Sequence, residues 1–377
     1  IVGSLAGNAL TDADHNTAVG FNALTADTQG SKSVAIGGGT LGTQNFTSAT
    51  NVYNVAIGYD AGVAVTTGVQ NTLIGGLAGD ALTDADNNVA IGYAALSADN
   101  KGNGCTAVGA AALANQNFTT STNARNTAVG DAALNQSSSG TDNSSLGAFA
   151  GYGNTTGNTN TSIGSYALFT NQAGDRNTAV GHQALKVMNP SGNVDTYNVA
   201  VGYDAGVSVT TGVKNTLIGG SAGDALQTGA NCLVLGYNAA ASSTSVSDEI
   251  TLGDSNISAL RCNDTSIASL SDARDKTDII DSSFGLTFIN DIRPVQFKWD
   301  RRNLVEGDLT ASKNGKTRLG FIAQELQDAM PNNENDICDL VYESNPERLE
   351  AKYGNLIPIL VKAIQELSAE VTKLKGE

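Results

Sequence analysis

Residues able to do chemistry are few and scattered in this chain of 377 residues. Its four cysteines, Cys105, Cys232, Cys262 and Cys338, hold no CxxC spacing, and only His15 and His182 accompany them. They frame neither a zinc centre nor a dense disulfide lattice, and no metal or cofactor is expected. Cys105 and Cys232 replace an Asn or Ser of the repeat described below and read as small residues in a stack. TDADHN at 11–16 and TDADNN at 83–88 open like a calcium loop but lack its glycine and distal Glu. They read as Asp/Asn turns. Glycoside hydrolysis wants two carboxylates and an aromatic platform, yet one Glu (Glu249) and no Trp precede residue 271. That leaves SDARDK at 271–276, which holds the residue types of a nucleophile and a base. On its spacing alone this stretch reads as a helix cap with charged first-turn residues.

The elements that would carry these residues follow a ruler of glycines. Words such as NTAVG and NVAIG end on Gly3, Gly20, Gly37, Gly58, Gly75, Gly92 and so on to Gly253. The intervals are 17 residues, with 21 at every fourth unit, so the superperiod is 72. NVAIGYDAG at 54–62 accordingly returns as NVAVGYDAG at 198–206, two superperiods later. A fixed period of this length signals a stacked repeat architecture. A branched aliphatic stands before each glycine (Val19, Ile36, Ile57, Ile74), and small residues alternate with it (Ala18, Ala35, Ala56). This describes a short strand with one face inward. Ala three residues past the glycine, as at Ala23, Ala61 and Ala78, predicts a second wall close to the first. Asn four before the glycine, as at Asn54, Asn71 and Asn88, predicts an amide ladder along the stack.

With coils about 4.8 Å apart, the rod spans roughly 70 Å, and each coil either closes within one chain or winds around three. Only 5 % of the residues are aromatic, and 43 are glycine. So thin a rod buries little apolar surface per chain, which predicts stabilisation by association. The long units, with TQNFTSATN at 43–51, NQNFTTSTN at 115–123 and VMNPSGNVD at 187–195, predict loops bulging along one edge.

Composition changes near Ser271. Only 18 of the 37 acidic and 7 of the 21 basic residues precede it, whereas Trp299 and four of the five prolines follow it. The expected domains are a repetitive β shaft over 1–253, a linker over 254–270 and a separate domain over 271–377. That domain is expected to hold a helix around 283–292, a strand over 294–299 and a helix around 322–330. At its end, Tyr353, Ile357, Leu360, Ile364, Leu367, Val371 and Leu374 are spaced 4, 3, 4, 3, 4 and 3. This is a heptad seam and predicts a self-associating helix over 353–375. The fold class is therefore mainly β: a β-solenoid or β-roll shaft of 17-residue coils, followed by a small α+β domain ending in a coiled-coil helix.

SLSDARDKTDII at 269–280, LGFIAQEL at 319–326 and YGNLIPILVKAIQEL at 353–367 resemble, in order, the intramolecular chaperone domain of phage endosialidases and tail fibres, the peptidase S74 family. The shaft words resemble, less specifically, the NSVAIG repeats of trimeric adhesin heads. The first resemblance implies a homotrimer whose terminal domain guides folding of the shaft and is released by self-cleavage between Leu270 and Ser271. It implies Ser271 as nucleophile and Lys276 as general base, with Asp272 and Arg274 as positioning groups. A lysine amine can take the serine proton if burial lowers its pKa. A spacing of five is awkward, about 140° apart on a helix and on opposite faces of a strand. The pair therefore needs a sharp bend or a lysine from a neighbouring subunit.

The expected function is a structural and host-adhesion segment of a phage tail fibre or tailspike, assembled in the host cytoplasm and carried on the virion. Any enzyme activity is a single-turnover Ser/Lys autoproteolysis with no diffusible substrate. Expected partners are two further copies, other tail proteins at the N-terminal side and a host-surface glycan or protein. A net charge of −16 sets nucleic acid aside, and no apolar run is long enough for membrane insertion. The alternatives are a bacterial trimeric surface adhesin and a glycan-degrading tailspike. The chain opens at Ile1 rather than Met and reads as a segment of something longer.

Overall fold

The period is built as coils that close within one chain. A computed structural model describes every residue except 258, 262, 264–270, 300–313, 331–337, 344–348 and 377, with the backbone alone at 299 and 314–316. It divides into units Ile1–Leu260 and Arg261–Glu377. In the first, three-residue strands from Thr17–Val19 to Ile250–Leu252 form one parallel sheet of 14 strands in chain order. Register never slips: Val55 pairs with Thr72, Ala56 with Leu73 and Ile57 with Ile74. Each coil returns the chain in its starting direction, so neighbouring strands must be parallel.

The inward face belongs to the small residues. Ala18, Ala35, Ala56 and Ala90 are fully buried, whereas the branched residues on either side of them look outward. The reason is the nearness of the opposite wall, made of Ala23, Ala61, Ala78 and their equivalents, all equally buried. At the inward strand position leucine stands at Leu73 and Leu217, and there the wall carries glycine. A Cβ at Gly62 would lie 2.6 Å from Leu73 Cδ1, and one at Gly79 would lie 2.8 Å from Leu73 Cδ2. Leu217 fits against Gly206 and Gly223 in the same way, 144 residues on from Leu73.

The ruler glycines are required twice over. Gly75 has φ +136°, and a Cβ there would stand 2.3 Å from the carbonyl oxygen of Gly92 in the next coil. Side-chain-bearing residues also adopt left-handed backbone, among them Ala94, Leu96 and Asn87 at φ +52°, +55° and +60°. Such conformations cost free energy, and stacking offsets it.

The asparagine ladder is wired differently from a simple amide stack. Asn71 donates its backbone N–H to Asn54 Oδ1 at 2.9 Å, and Asn88 does the same to Asn71 Oδ1 at 3.0 Å. The Asn71 side-chain amide instead donates to the Ala85 carbonyl at 2.8 Å. Such a buried amide satisfies backbone groups 14 and 17 residues further on, whereas Asn177 donates directly to Asn160 Oδ1 at 3.0 Å.

The long units fold part of their extra length back on the shaft. Thr50–Asn51, Thr122–Asn123 and Val194–Asp195 add short parallel pairs to Gly30–Ser31, Gly102–Asn103 and Gly174–Asp175. Phe46 and Phe118 are tucked in, and residues 47–49 stay exposed. Cys105 is fully buried, and burial pushes its thiol up to about 11.

The second unit has a small apolar core of its own, including Phe284, Phe288, Leu326, Leu340, Leu356 and Ile359. Around it lie the helix Leu286–Asp291, an antiparallel pair of Val295–Trp299 with Asn314–Gly320, the helix Ala323–Ala329, and a second antiparallel pair, Val341–Tyr342 with Glu350–Ala351. A 3-10 turn, Tyr353–Asn355, leads into the helix Leu356–Lys375, which ends on left-handed Gly376.

Candidate functional site

The segment opening at Ser271 forms one tight turn rather than the start of an α-helix. Asp272 is extended (φ −69°, ψ 133°), and its side chain accepts a hydrogen bond from Arg274 N at 2.9 Å, capping a 3-10 turn over Ala273–Asp275. Asp/Ser-type side chains favour this local bonding over helix interior geometry. Lys276 is extended again (φ −124°, ψ 139°), with its N–H donated to the Ala273 carbonyl. One turn between two extended residues reverses the chain, and Lys276 Nζ comes within 2.7 Å of Ser271 Oγ. The bend required by a spacing of five is therefore present, and the contact forms within a single chain.

Asp272 and Arg274 brace the turn as a forked ion pair. Arg274 Nε donates to both carboxylate oxygens at 3.0 and 3.1 Å, and Nη2 donates to Oδ2 at 2.5 Å. The guanidinium holds the Asp272 carboxyl below the usual carboxylate range, and the carboxylate in turn raises Arg274. Ser271, Asp272, Arg274 and Lys276 are all exposed in the single chain. Leu270, the residue before the expected cleavage point, lies outside the described residues, as does Cys262. Sequence reasoning passed over Ile279 and Ile280, which follow at 70 and 88 % exposure. Their signal was two adjacent isoleucines directly after a charged run.

The heptad residues occupy one side of the last helix. Ile357, Leu360, Ile364, Leu367, Val371 and Leu374 are between 39 and 86 % exposed, whereas Leu356, Ile359 and Ala363 on another side are buried in the unit's core. The helix thus keeps two apolar faces, and the chain itself covers one. Among the described residues no helix is long and apolar enough to cross a membrane.

A parallel β-solenoid of stacked 17-residue coils, followed by a small unit ending in a long helix, defines a fibre-type protein. Residues 271–333 match the Peptidase_S74 family, described as the chaperone of endosialidase, and the match opens at Ser271. The chain carries a chaperone-of-endosialidase domain there, and a solenoid joined to such a domain fits a phage tail fibre or tailspike. No curated protein and no solved structure matches the chain significantly.

Proposed function

We propose that this chain is the shaft and folding domain of a homotrimeric phage tail fibre or tailspike, whose domain over 271–377 aligns three copies and is then released by self-cleavage between Leu270 and Ser271. The observation that carries the reading is the 2.7 Å contact of Lys276 Nζ with Ser271 Oγ, at the residue where the family match begins. In the reaction, Ser271 Oγ attacks the Leu270 carbonyl carbon while its proton passes to the Lys276 amine. The peptide C–N bond breaks, the freed amine of Ser271 takes a proton, and an ester remains. Water then hydrolyses this ester, leaving a carboxylate on Leu270 and the hydroxyl on Ser271.

Desolvation is what turns a lysine into a base, and the single chain leaves Lys276 exposed. Ile279 and Ile280 offer an apolar surface beside it for a neighbouring copy to cover. The heptad side of the last helix offers another. Along the shaft, the outward Val, Ile and Leu of each strand form a third, which includes Ile36, Ile57 and Ile218. A clamp at one end also answers a folding problem, because near-identical coils pair at low cost with neighbours shifted by 17 or 72 residues. The assembled shaft would present its edges, including the loops near 47–49, to a host-surface glycan or protein, with other tail proteins at the N-terminal side of the virion fibre.

The test is the mass of the purified product, native and denatured. The expected result is a trimer made of 270-residue chains, with Ser271→Ala and Lys276→Ala each giving uncut trimer. Uncut wild-type chains in a native trimer would sink the cleavage reading alone, and a native monomer would sink the fibre reading. Deleting 271–377 from the gene should leave aggregated shaft. Soluble trimer from the truncated gene would remove the need for a folding domain.

A further inference from the structure

The apolar interior of the shaft is not continuous. One buried cluster runs from Ala6 to Leu134 and another begins at Ala167. Between them the inward strand residues are Ser145 and Ser162, where neighbouring coils place Ala128 and Ala179. The two hydroxyl oxygens are 2.5 Å apart. The strands facing Gly151 carry Ser145 and Ser162 and no leucine of the kind that Leu73 supplies beside Gly62 and Gly79. A Cβ there would meet Ser145 Oγ at 2.8 Å, Leu134 Cδ2 at 2.9 Å and Ser162 Oγ at 3.1 Å. Ser137 Oγ and Asn154 Oδ1 are buried in the same stretch without a hydrogen-bond partner. The backbone ladder nevertheless continues through these coils in unbroken register.

The outside of the same coils carries the complement. Phe149 stacks on Tyr166 with centroids 5.3 Å apart and planes 7° apart, and Tyr152 stacks on Phe169 at 5.3 Å and 14°. Aromatic rings bridge two coils on the surface where aliphatic side chains bridge them inside elsewhere. Stacked rings of this kind add to the stability of a contact, whereas one neutral hydrogen bond contributes modestly.

We propose that the shaft is two cooperative bodies joined at this polar layer, that the joint opens and flexes before either body does, and that the four rings are its outer strap. In a stack where each coil touches only its neighbours, the layer with least apolar burial sets the lowest local stability. The shaft therefore yields in its interior rather than only fraying at its ends.

Hydrogen exchange of the full chain, read peptide by peptide, tests this. Amides over 140–166 are expected to exchange about tenfold or more faster than those over 60–95 and 200–235. Ser145→Ala with Ser162→Ala joins the two apolar interiors and is expected to bring the joint to the protection of its flanks. Tyr166→Ala with Phe169→Ala removes the strap and speeds exchange there alone. Should that variant fail to fold, the serine pair still decides the matter. Uniform protection along the shaft, or unchanged exchange in the double-alanine serine variant, would overturn the proposal.

Discussion

Glu366 Oε2 accepts a hydrogen bond from the backbone N–H of Leu286 at 2.7 Å, across 80 residues of sequence. The C-terminal helix thereby supplies the N-terminal cap that the helix Leu286–Asp291 lacks in its own sequence, since Gly285 has no side chain to offer. Gly285 also makes the approach possible, because a Cβ there would stand 2.3 Å from that oxygen. Glu366→Ala is expected to destabilise the second unit by about 1 kcal/mol, and Gly285→Ala by no more than that, since its methyl group displaces the end of one flexible side chain. Urea unfolding followed at the single tryptophan reads both, and a neutral Glu366→Ala would contradict the capping role.

The forked pair of Asp272 and Arg274 gives the turn at Ser271 a pH dependence. The folded carboxyl sits below its ordinary value because the guanidinium bonds it. The contribution of the pair is therefore complete above the ordinary carboxylate range and is lost as pH falls through the depressed value. A carboxyl titration followed by NMR should place Asp272 lower than an unstructured aspartate. Asp272→Asn should raise the mobility of Lys276 and slow any self-cleavage roughly tenfold, the scale of a misoriented reacting pair.

A glutamine in each of the first two long units bonds a buried carboxylate one coil earlier. Gln44 Nε2 donates to Asp27 Oδ2 at 2.6 Å, and Gln116 repeats this with Asp99 at 2.6 Å. In the third superperiod both residues change together, to Asn171 and Met188. Gln44→Met alone should therefore cost about 3 kcal/mol by leaving the buried Asp27 Oδ2 without its donor, while Oδ1 keeps the N–H groups of Gly30 and Phe46. Adding Asp27→Asn should recover about 2 kcal/mol of that loss. Additive costs in the double variant would mean that the joint change at 171 and 188 has another origin.

The corner glycines differ sharply in what they tolerate. Gly75→Ala must accept both φ +136° and a 2.3 Å approach to backbone, and is expected to cost about 3 kcal/mol or more. Gly354, in the turn before the last helix, has no atom within 4 Å of the place its methyl group would take, and Gly354→Ala should fall within about 0.5 kcal/mol of neutral. Thermal unfolding of the two variants side by side measures the contrast.

Two neighbouring positions on the last helix separate folding from association. Leu360→Asp lies on the exposed seam and should dissociate the oligomer while leaving each chain folded. Ile359→Asp lies in the core and should unfold the second unit by about 3 kcal/mol or more. Native mass and circular dichroism distinguish the outcomes, and an intact oligomer in Leu360→Asp would remove the seam from the interface.

The spacing of Gly58, Gly75 and Gly92 declared the solenoid in advance, because stacked coils place equal demands on equivalent residues and so leave a period in the chain. The last helix was legible for the same reason: apolar residues recurring every three or four positions from Ile357 to Leu374 match the turn of a helix. Which strand face turns inward was not legible. Val19 and Ile57 are the more hydrophobic residues, yet they face outward, because the close opposite wall leaves most inward strand positions room for little more than a methyl group. Nor did the Asn column reveal that its oxygens would serve backbone N–H groups, with direct amide-to-amide bonds confined to pairs such as Asn177 with Asn160.

At the processing segment the residue types Ser, Asp, Arg and Lys were plain, but five residues of spacing argued against a contact between Ser271 and Lys276. That contact rests on local geometry: the Asp272 carboxylate caps the start of a three-residue turn through Arg274, and Lys276 is extended at its other end. The sequence by itself determined every feature that repeats, since periodicity needs no knowledge of distance. Tertiary structure alone decided wall separation, the sense of each face and the long-range cap from Glu366, because these depend on how near two segments come in space.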